Sequence, residues 1–183
     1  MSCKTLSLAA VIACSLAAVP VSVLAMGSDT SSDSNEPEKP TCKSGYVYSE
    51  KKKRCVREDT GILERSDLIR HAWQKAYAGD YHEARAVFAS LANEPSAEIY
   101  NGLGYSNRKL GAVETGIAYH RKALPLEPEY VLARSYLSEG YVQSGKLDLA
   151  REQLAQIGER CGKGCKEYLY LLRAIELGGP NDW

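Results

Sequence analysis

The sequence has no excess charge of either sign and no recognisable catalytic motif. Its 23 Lys and Arg residues are balanced by 23 Asp and Glu residues, so its formal net charge is zero at pH 7. A chain without a basic excess has no overall electrostatic attraction to nucleic acid, and we expect no nucleic-acid partner. We find no glycine-rich phosphate loop, no nucleophile elbow and no paired carboxylates that a cleft would bring together. The sequence therefore predicts a protein that is not an enzyme and needs no cofactor.

Metal-ligand patterns are also scarce. The three histidines, His71, His82 and His120, form no pair spaced i, i+3 or i, i+4 on one helix. His120 occupies the position of a buried aromatic residue, which favours a place in the core. Zinc binding by four cysteines would require the N-terminal cysteine segment to fold back onto the C-terminal helix. We therefore expect no metal site.

A long apolar run occurs only at the start of the chain. Lys4 precedes an apolar stretch over 5–19, which is too short and too weakly flanked to be a stable membrane span. Small residues lead up to Ala25, which suits cleavage after that position. The sequence predicts a signal peptide over 1–25 and an exported protein, most consistent with the periplasm.

A second interpretation of this leader stays open. The run that ends at Cys14 loosely resembles a lipoprotein cleavage box, which would anchor the protein through that cysteine. However, the apolar run continues to Ala25, and this favours the later cleavage.

Four cysteines remain after the leader: Cys42, Cys55, Cys161 and Cys165. An even number of cysteines in an exported chain indicates two disulfides. Four cysteines can form two disulfides in three different ways. Pairing Cys42 with Cys55 and Cys161 with Cys165 needs the least loop closure, and this local pairing is the one that we favour.

Two short segments precede the main part of the chain. Residues 26–41 contain almost no large apolar side chain, so we interpret them as a disordered linker. Residues 42–58 contain two short stretches with strand propensity, around Val47 and Cys55, and a turn between them. A Cys42–Cys55 bridge would close this small hairpin, which is basic at its turn. The basic patch consists of Lys51, Lys52, Lys53 and Arg54.

A repeated pattern runs through the rest of the chain. Gly79, Gly111 and Gly145 each open a similar segment, and they lie 32 and 34 residues apart. This period is typical of repeat proteins, whose units stack to bury a shared core. Apolar residues within each unit follow helical spacing. The pattern predicts seven helices, at 63–78, 81–93, 96–110, 113–125, 129–144, 147–159 and 164–177.

The residues of these units resemble the tetratricopeptide repeat family. In the middle unit the family pattern is carried by Tyr100, Leu103, Gly104, Ala123 and Pro128. The first unit departs from it, since His71 stands where Leu is usual. The resemblance covers three units over 61–160, at about 63–95, 97–128 and 131–160.

The resemblance implies an all-α fold. We expect a right-handed α-solenoid of three tetratricopeptide-like helix pairs. A small disulfide hairpin would precede it, and a Cys-bridged turn and capping helix over 161–177 would follow it. Small residues at Gly104 and Gly116 would let paired helices approach closely. The layout is also similar to that of small exported tetratricopeptide proteins of Gram-negative envelopes.

In this family the first helix of each pair lines a groove, and the resemblance places a candidate binding stripe there. Its aromatic and basic residues would suit an extended or helical peptide of acidic character. The pattern of a two-Lys carboxylate clamp is not matched, because Ile69, Trp73, Gly102, Leu132 and Tyr136 stand at its positions. The candidate groove residues are Trp73, Tyr77, Asn101, Tyr105, Arg108, Lys109, Glu139 and Gln143.

The leading hypothesis is a non-catalytic adaptor of the cell envelope that binds a peptide segment of a partner protein in this groove. A second hypothesis assigns binding to the basic hairpin, which would contact a wall polymer or a membrane surface. A third is thiol-redox chemistry at Cys161 and Cys165, where Lys163 could lower a thiol pKa. Their spacing is not that of common redox motifs, which favours a structural disulfide.

Overall fold

A disulfide-closed β-hairpin precedes a series of paired α-helices. The computed structural model describes residues 40–58 and 61–177; the predicted signal peptide, Cys14 and nearly all of the predicted linker lie outside these ranges. Strands β1 (Tyr46–Ser49) and β2 (Arg54–Arg57) pair antiparallel, with Val47 opposite Val56. The Cys42 and Cys55 sulfurs are bonded at 1.93 Å, so the predicted disulfide hairpin is confirmed.

Seven helices follow within the described ranges, as predicted, and none of them is both long and apolar enough to span a bilayer. The glycines that mark the repeat, Gly79, Gly111 and Gly145, each follow the first helix of a pair. Their φ angles are +87°, +85° and +70°, a left-handed conformation that glycine adopts without strain. The helices are α1 (Arg65–Tyr77), α2 (Tyr81–Ser90), α3 (Ala97–Lys109), α4 (Val113–Leu126), α5 (Val131–Gln143), α6 (Leu147–Cys161) and α7 (Lys166–Glu176).

Small residues allow the paired helices to approach closely. A Cβ atom placed on Gly104 would lie 2.6 Å from Cε1 of His120, and one on Gly116 would lie 2.8 Å from the carbonyl oxygen of Gly104. A Cβ atom on Gly102 would lie 2.3 Å from the ring of Phe88. These distances are far below normal van der Waals contact, so neither Gly102 and Gly104 of α3 nor Gly116 of α4 accepts a side chain unless its neighbours shift.

The hairpin packs against the first helix. The backbone N–H of Glu50 donates a hydrogen bond of 3.1 Å to Oδ1 of Asp67, and Arg70 donates to the carbonyl oxygen of Tyr48. Arg70 also pairs with Asp67 at 2.8 Å. Burial by itself would raise the pKa of Asp67, but hydrogen bonds from Arg70 and from the N–H groups of Glu50 and Glu64 lower it below its usual range. The hairpin and the helices form one compact unit.

The C-terminal end is closed by α7. Leu171 and Ile175 of this helix pack into the same core as Leu154 and Ile157 of α6. A disulfide between Cys161 and Cys165 spans the turn that joins the two helices. The last helix therefore buries the apolar face that the third pair would otherwise expose, as a cap does in a repeat protein.

His120 makes the stability of this core sensitive to acid. Its side chain is fully buried, and burial together with the positive charge of Arg108 lowers its pKa from 6.5 to about 3. Between these two pKa values the unfolded chain binds a proton that the folded chain does not. The free energy of unfolding is therefore fully retained above pH 6.5 and decreases as the pH falls below it. We expect His120 to contribute a loss of roughly 2 kcal/mol between pH 7 and pH 5.

Urea unfolding at a series of pH values measures this contribution. The variant His120→Leu should have a shallower dependence on pH than the wild type, and the control His82→Gln, at an exposed histidine of α2, should keep the wild-type slope. The slope with pH is the readout, so a lower absolute stability of the variant does not obscure the result. Equal slopes for His120→Leu and the wild type would contradict the prediction.

Candidate functional site

Two adjoining pockets run along the first helices of the pairs. One has a volume of about 330 Å³ and is lined by residues of α3, α5 and α7, including Tyr105 and Tyr170. The other has a volume of about 570 Å³ and is lined by residues of α1, of α3 and of the start of α5, including Trp73 and Tyr77. Leu132 lines both pockets. We refer to the two pockets together as the groove.

Four aromatic side chains form a continuous cluster in the groove. The Tyr105 ring lies at its centre, with centroid distances of 4.9 Å to Tyr136, 5.8 Å to Trp73 and 5.9 Å to Tyr77. Trp73 and Tyr77 stack at 5.3 Å. We call Trp73, Tyr77, Tyr105 and Tyr136 the aromatic cluster. Tyr77 is 61% exposed, so one edge of the cluster is open to solvent.

A buried ion pair lies directly beneath the aromatic cluster. Nη2 of Arg108 on α3 donates to Oε2 of Glu139 on α5 at 2.5 Å, and neither residue is more than 4% exposed. The Arg108 guanidinium also lies 5.7 Å from the ring centroid of Tyr105 and 5.8 Å from that of Tyr136. These distances allow cation–π attraction to both rings. The pair therefore joins two neighbouring helices and supports the floor of the groove.

Burial changes the ionisation of the groove residues. It raises the pKa of Tyr105 to about 12 and raises that of Tyr136 further, since a hydrogen bond to Tyr77 adds to burial. Burial and the nearby Arg108 charge lower the pKa of Lys109. Burial raises the pKa of Glu139, and Arg108 offsets part of that effect. Tyr105 and Tyr136 thus stay neutral at physiological pH and offer apolar rings with polar tips.

The structure corrects the predicted exposure of three candidate residues. Asn101, Arg108 and Glu139 were expected on the open stripe, but they are only 0%, 2% and 4% exposed. The first two belong to α3. They lie seven residues apart, so they share the face of α3 that packs toward α5, where the Asn101 amide donates to the Tyr130 hydroxyl at 3.3 Å. Tyr105 and Lys109, four residues apart, line the groove instead.

The other candidates are distributed as follows. Trp73 and Tyr77 line the larger pocket, and Glu139 lines the smaller one with its carboxylate held by Arg108. Gln143 is half-buried at the end of α5 and lines neither pocket. The structure therefore brings most of the predicted stripe together, and the binding role of these residues stays a prediction.

Sequence reasoning missed the contribution of the last helix. Lys166, Glu167 and Tyr170 of α7 line the smaller pocket, although α7 was interpreted only as a cap. Lys166 and Tyr170 are four residues apart, opposite the apolar face that packs on α6, and this spacing is the signal that could have revealed them. Leu132 and Tyr136 were considered only as mismatches to a carboxylate clamp.

The two alternative sites are also visible. Lys51, Lys52, Lys53 and Arg54 are exposed at the turn of the hairpin; Lys53 pairs with Glu50 at 3.0 Å. Cys161 and Cys165 are joined at 2.09 Å, so in this state neither offers a thiolate. Binding by the basic patch and redox chemistry at this disulfide stay predictions.

Comparisons with known proteins support the helical fold. No protein-family model and no curated protein matches this sequence. Solved structures do resemble it, among them the three that follow. The Hsp90 co-chaperone Cns1 from Saccharomyces cerevisiae has a TM-score of 0.55 and 20% identity, covering 61% of this chain and 38% of the Cns1 chain. The type III secretion translocator chaperone SycD from Yersinia enterocolitica has a TM-score of 0.55 and 17% identity, covering 62% of this chain and 81% of SycD.

SycD in complex with a peptide of the translocator YopD has a TM-score of 0.54 and 20% identity, covering 61% of this chain and 92% of SycD. The match thus spans less than two fifths of the Cns1 chain, but most of SycD. At these identities the likeness establishes the fold alone. The chain is a tetratricopeptide-like helical repeat protein with an N-terminal disulfide hairpin.

Removing one partner of the Arg108–Glu139 pair should destabilise the fold strongly. Arg108→Met leaves the buried Glu139 carboxylate without its cation, which is expected to cost about 3–5 kcal/mol of unfolding free energy. The double variant Arg108→Met/Glu139→Leu should lose much less than the two single variants combined, because no buried charge remains. Urea denaturation of the four proteins gives this double-mutant cycle.

An exposed ion pair provides the matched control for that cycle. Lys146 and Glu114 lie 2.7 Å apart, but their side chains are 41% and 67% exposed. Lys146→Met should have a much smaller effect, because solvent screens the pair. Additive losses in the Arg108–Glu139 cycle would show that the two buried charges do not act as a unit.

Proposed function

We propose that this protein is a non-catalytic interaction scaffold that binds a peptide segment of a partner protein in the groove. The observation that carries the proposal is the aromatic cluster, which extends over three first helices and is open to solvent at Tyr77. Contiguous exposed aromatic surface is typical of interaction sites, and rigid Tyr and Trp side chains are the usual energetic anchors.

The groove favours a peptide with apolar anchors and an acidic flank. Trp73, Tyr77 and Leu132 line the larger pocket, which suits aliphatic or aromatic side chains. Lys109 and Lys166 line the smaller pocket together with two carboxylates, of which Glu139 is paired with Arg108 and Glu167 with Lys166 at 3.7 Å. Lys109 therefore supplies the positive charge that remains unpaired by these contacts. Because the ion pair holds α3 and α5 together, the groove is organised before the ligand arrives, and this lowers the entropic cost of binding.

The likeness to SycD is consistent with this proposal. SycD has been solved with a peptide of YopD, and the match covers most of the SycD chain. This support is an analogy of fold, because one fold serves many functions. The groove chemistry of this chain is therefore the stronger argument.

The cellular setting is part of the same proposal. The sequence predicts export through a signal peptide over 1–25, and two disulfides suit an oxidising compartment such as the periplasm. We accordingly propose that the partner is an envelope protein. The basic patch at Lys51–Arg54, exposed at the opposite end of the chain from α7, is the alternative binding surface.

Peptide selection with a built-in optical reporter tests the groove. The chain has two Trp residues, so Trp183→Phe leaves Trp73 as the single tryptophan, whose emission can be excited apart from that of the tyrosines. Short random peptides displayed on phage would be selected on this protein in its oxidised form, synthesised and titrated. Peptides bound in the groove should shift Trp73 emission. Tyr105→Ala should weaken them about tenfold or more, as expected for loss of an aromatic anchor.

Two variants decide where selected peptides bind. Tyr119→Ala removes an aromatic ring of the same size from α4, outside the groove, and should leave affinity unchanged. Circular dichroism of all variants checks that the helices are intact. Selected peptides that bind Tyr105→Ala as tightly as the parent, but lose affinity when Lys51–Arg54 are changed to Gln, would refute the groove and favour the basic patch.

A further inference from the structure

Three side chains from three different elements converge next to the hairpin. Glu58 follows β2, His71 lies on α1 and Glu83 lies on α2. One potential ligand atom from each residue lies within 4.8 Å of those of the other two. Nε2 of His71 is 3.6 Å from Oε1 of Glu83. An imidazole nitrogen and two carboxylate oxygens are thus placed around one point. None of the three residues lines either pocket of the groove.

Nε2 of His71 is buried without a hydrogen-bond partner among the residues that the structure describes, and the residue is 7% exposed. Both ring nitrogens of His120 are buried in the same way, but His71 also has two carboxylates within 4.8 Å. Oε1 of Glu83 lies 3.6 Å from Nε2 of His71, which is longer than a hydrogen bond. Buried polar atoms are normally satisfied, so an unpaired imidazole nitrogen that faces a carboxylate indicates a missing ligand. Buried Leu103 and Leu137 stand at the equivalent positions of the second and third helix pairs, so packing alone does not require a histidine here.

Glu83 is already oriented for such a ligand. Lys75 donates a hydrogen bond of 2.7 Å to Oε2 of Glu83, which leaves Oε1 directed toward His71. Lys75 is itself held by Asp80 at 3.6 Å. Hydrogen bonds to the second oxygen of a carboxylate ligand are common at metal sites, because they hold the coordinating oxygen in place.

We propose that Glu58, His71 and Glu83 bind one divalent transition-metal ion, with Zn²⁺ as the expected occupant. Zinc takes imidazole nitrogen and carboxylate oxygen at about 2.0–2.2 Å in a tetrahedral arrangement, so neighbouring ligand atoms lie about 3.3 Å apart. The 3.6 Å between His71 and Glu83 is close to this separation. A rotation of the Glu58 side chain brings in the third ligand, and water completes the shell.

The donor set argues against the common hard cations. Mg²⁺ and Ca²⁺ prefer all-oxygen shells, whereas imidazole suits Zn²⁺ and its neighbours in the first transition series. A second cluster, formed by Cys161, Cys165 and Glu167, is a weaker candidate because the two sulfurs are bonded to each other. The cluster around His71 is therefore the one that the structure supports.

Metal binding at this place would tie the hairpin to the first helix pair. Glu58 belongs to the segment after β2, while His71 and Glu83 belong to α1 and α2. These residues are 13 and 25 positions away from Glu58 along the sequence, so the unfolded chain does not hold them together. An ion that binds only the folded state stabilises that state, and the gain grows with free metal concentration.

Zinc titration of the oxidised chain tests the proposal. The protein carries no affinity tag, so that its own histidines are the only imidazoles, and ZnCl₂ is added in an isothermal titration calorimeter. We expect one equivalent to bind and the melting temperature to rise until that equivalent is reached. His71→Leu and Glu83→Gln should each weaken binding by about tenfold or more, since loss of even an outer-shell partner weakens metal sites that much. MgCl₂ should not bind.

A control substitution at a second histidine and an NMR measurement on the wild-type protein complete the test. His82→Gln removes an exposed histidine of α2 and should bind zinc like the wild type. In NMR spectra of the wild type, zinc should shift the His71 imidazole signals and leave those of His82 unchanged, which decides the matter even if His71→Leu fails to fold. Zinc binding that is absent from the wild type, or that leaves the His71 signals unmoved, would overturn the proposal.

Discussion

The Arg108–Glu139 ion pair lies between α3 and α5, where both charges are almost fully buried. A buried pair of this kind contributes little net stability, because desolvation of both ions offsets their attraction. Its effect is on the relative position of the helices, since a shift of α3 along α5 would separate two buried charges. Tyr105 and Tyr136 rest on the guanidinium, so the position of the aromatic cluster follows from the pair. The ion pair therefore helps to determine the shape of the groove.

The repeat pattern made most of the fold predictable from sequence. Gly79, Gly111 and Gly145 mark turns that need a left-handed backbone, so they revealed the period directly. Gly104 and Gly116 mark positions where a side chain would collide with the partner helix, and the structure shows the contact expected of them. Such features depend on local geometry and can be recognised from residue type and spacing. They explain why seven helices could be placed to within a few residues of their bounds.

The site was less predictable, because its geometry depends on neighbours that spacing cannot reveal. Asn101 and Tyr105 are only four residues apart, yet one is fully buried and the other lines the groove. The difference arises from the direction in which α5 packs on α3, which no pattern within α3 records. Lys166 and Tyr170 line the groove because α7 packs against α5, and no pattern within α7 records that contact. The cluster of Glu58, His71 and Glu83 was invisible to a search for paired histidines on one helix, because its members come from three elements.

The hairpin now has a structural role that its composition concealed. Asp67 and Arg70 of α1 hold the backbone of β1, so the hairpin covers the N-terminal end of the repeats as α7 covers the C-terminal end. A metal ion beneath Glu58 would strengthen this same attachment. The face of the hairpin that contacts α1 is therefore not available to a partner, while the basic patch at its turn remains exposed. A binding role for the patch and a capping role for the strands are compatible, because they use opposite parts of the hairpin. The groove differs from both, since its residues belong to the repeats themselves and its shape depends on the buried ion pair rather than on either cap.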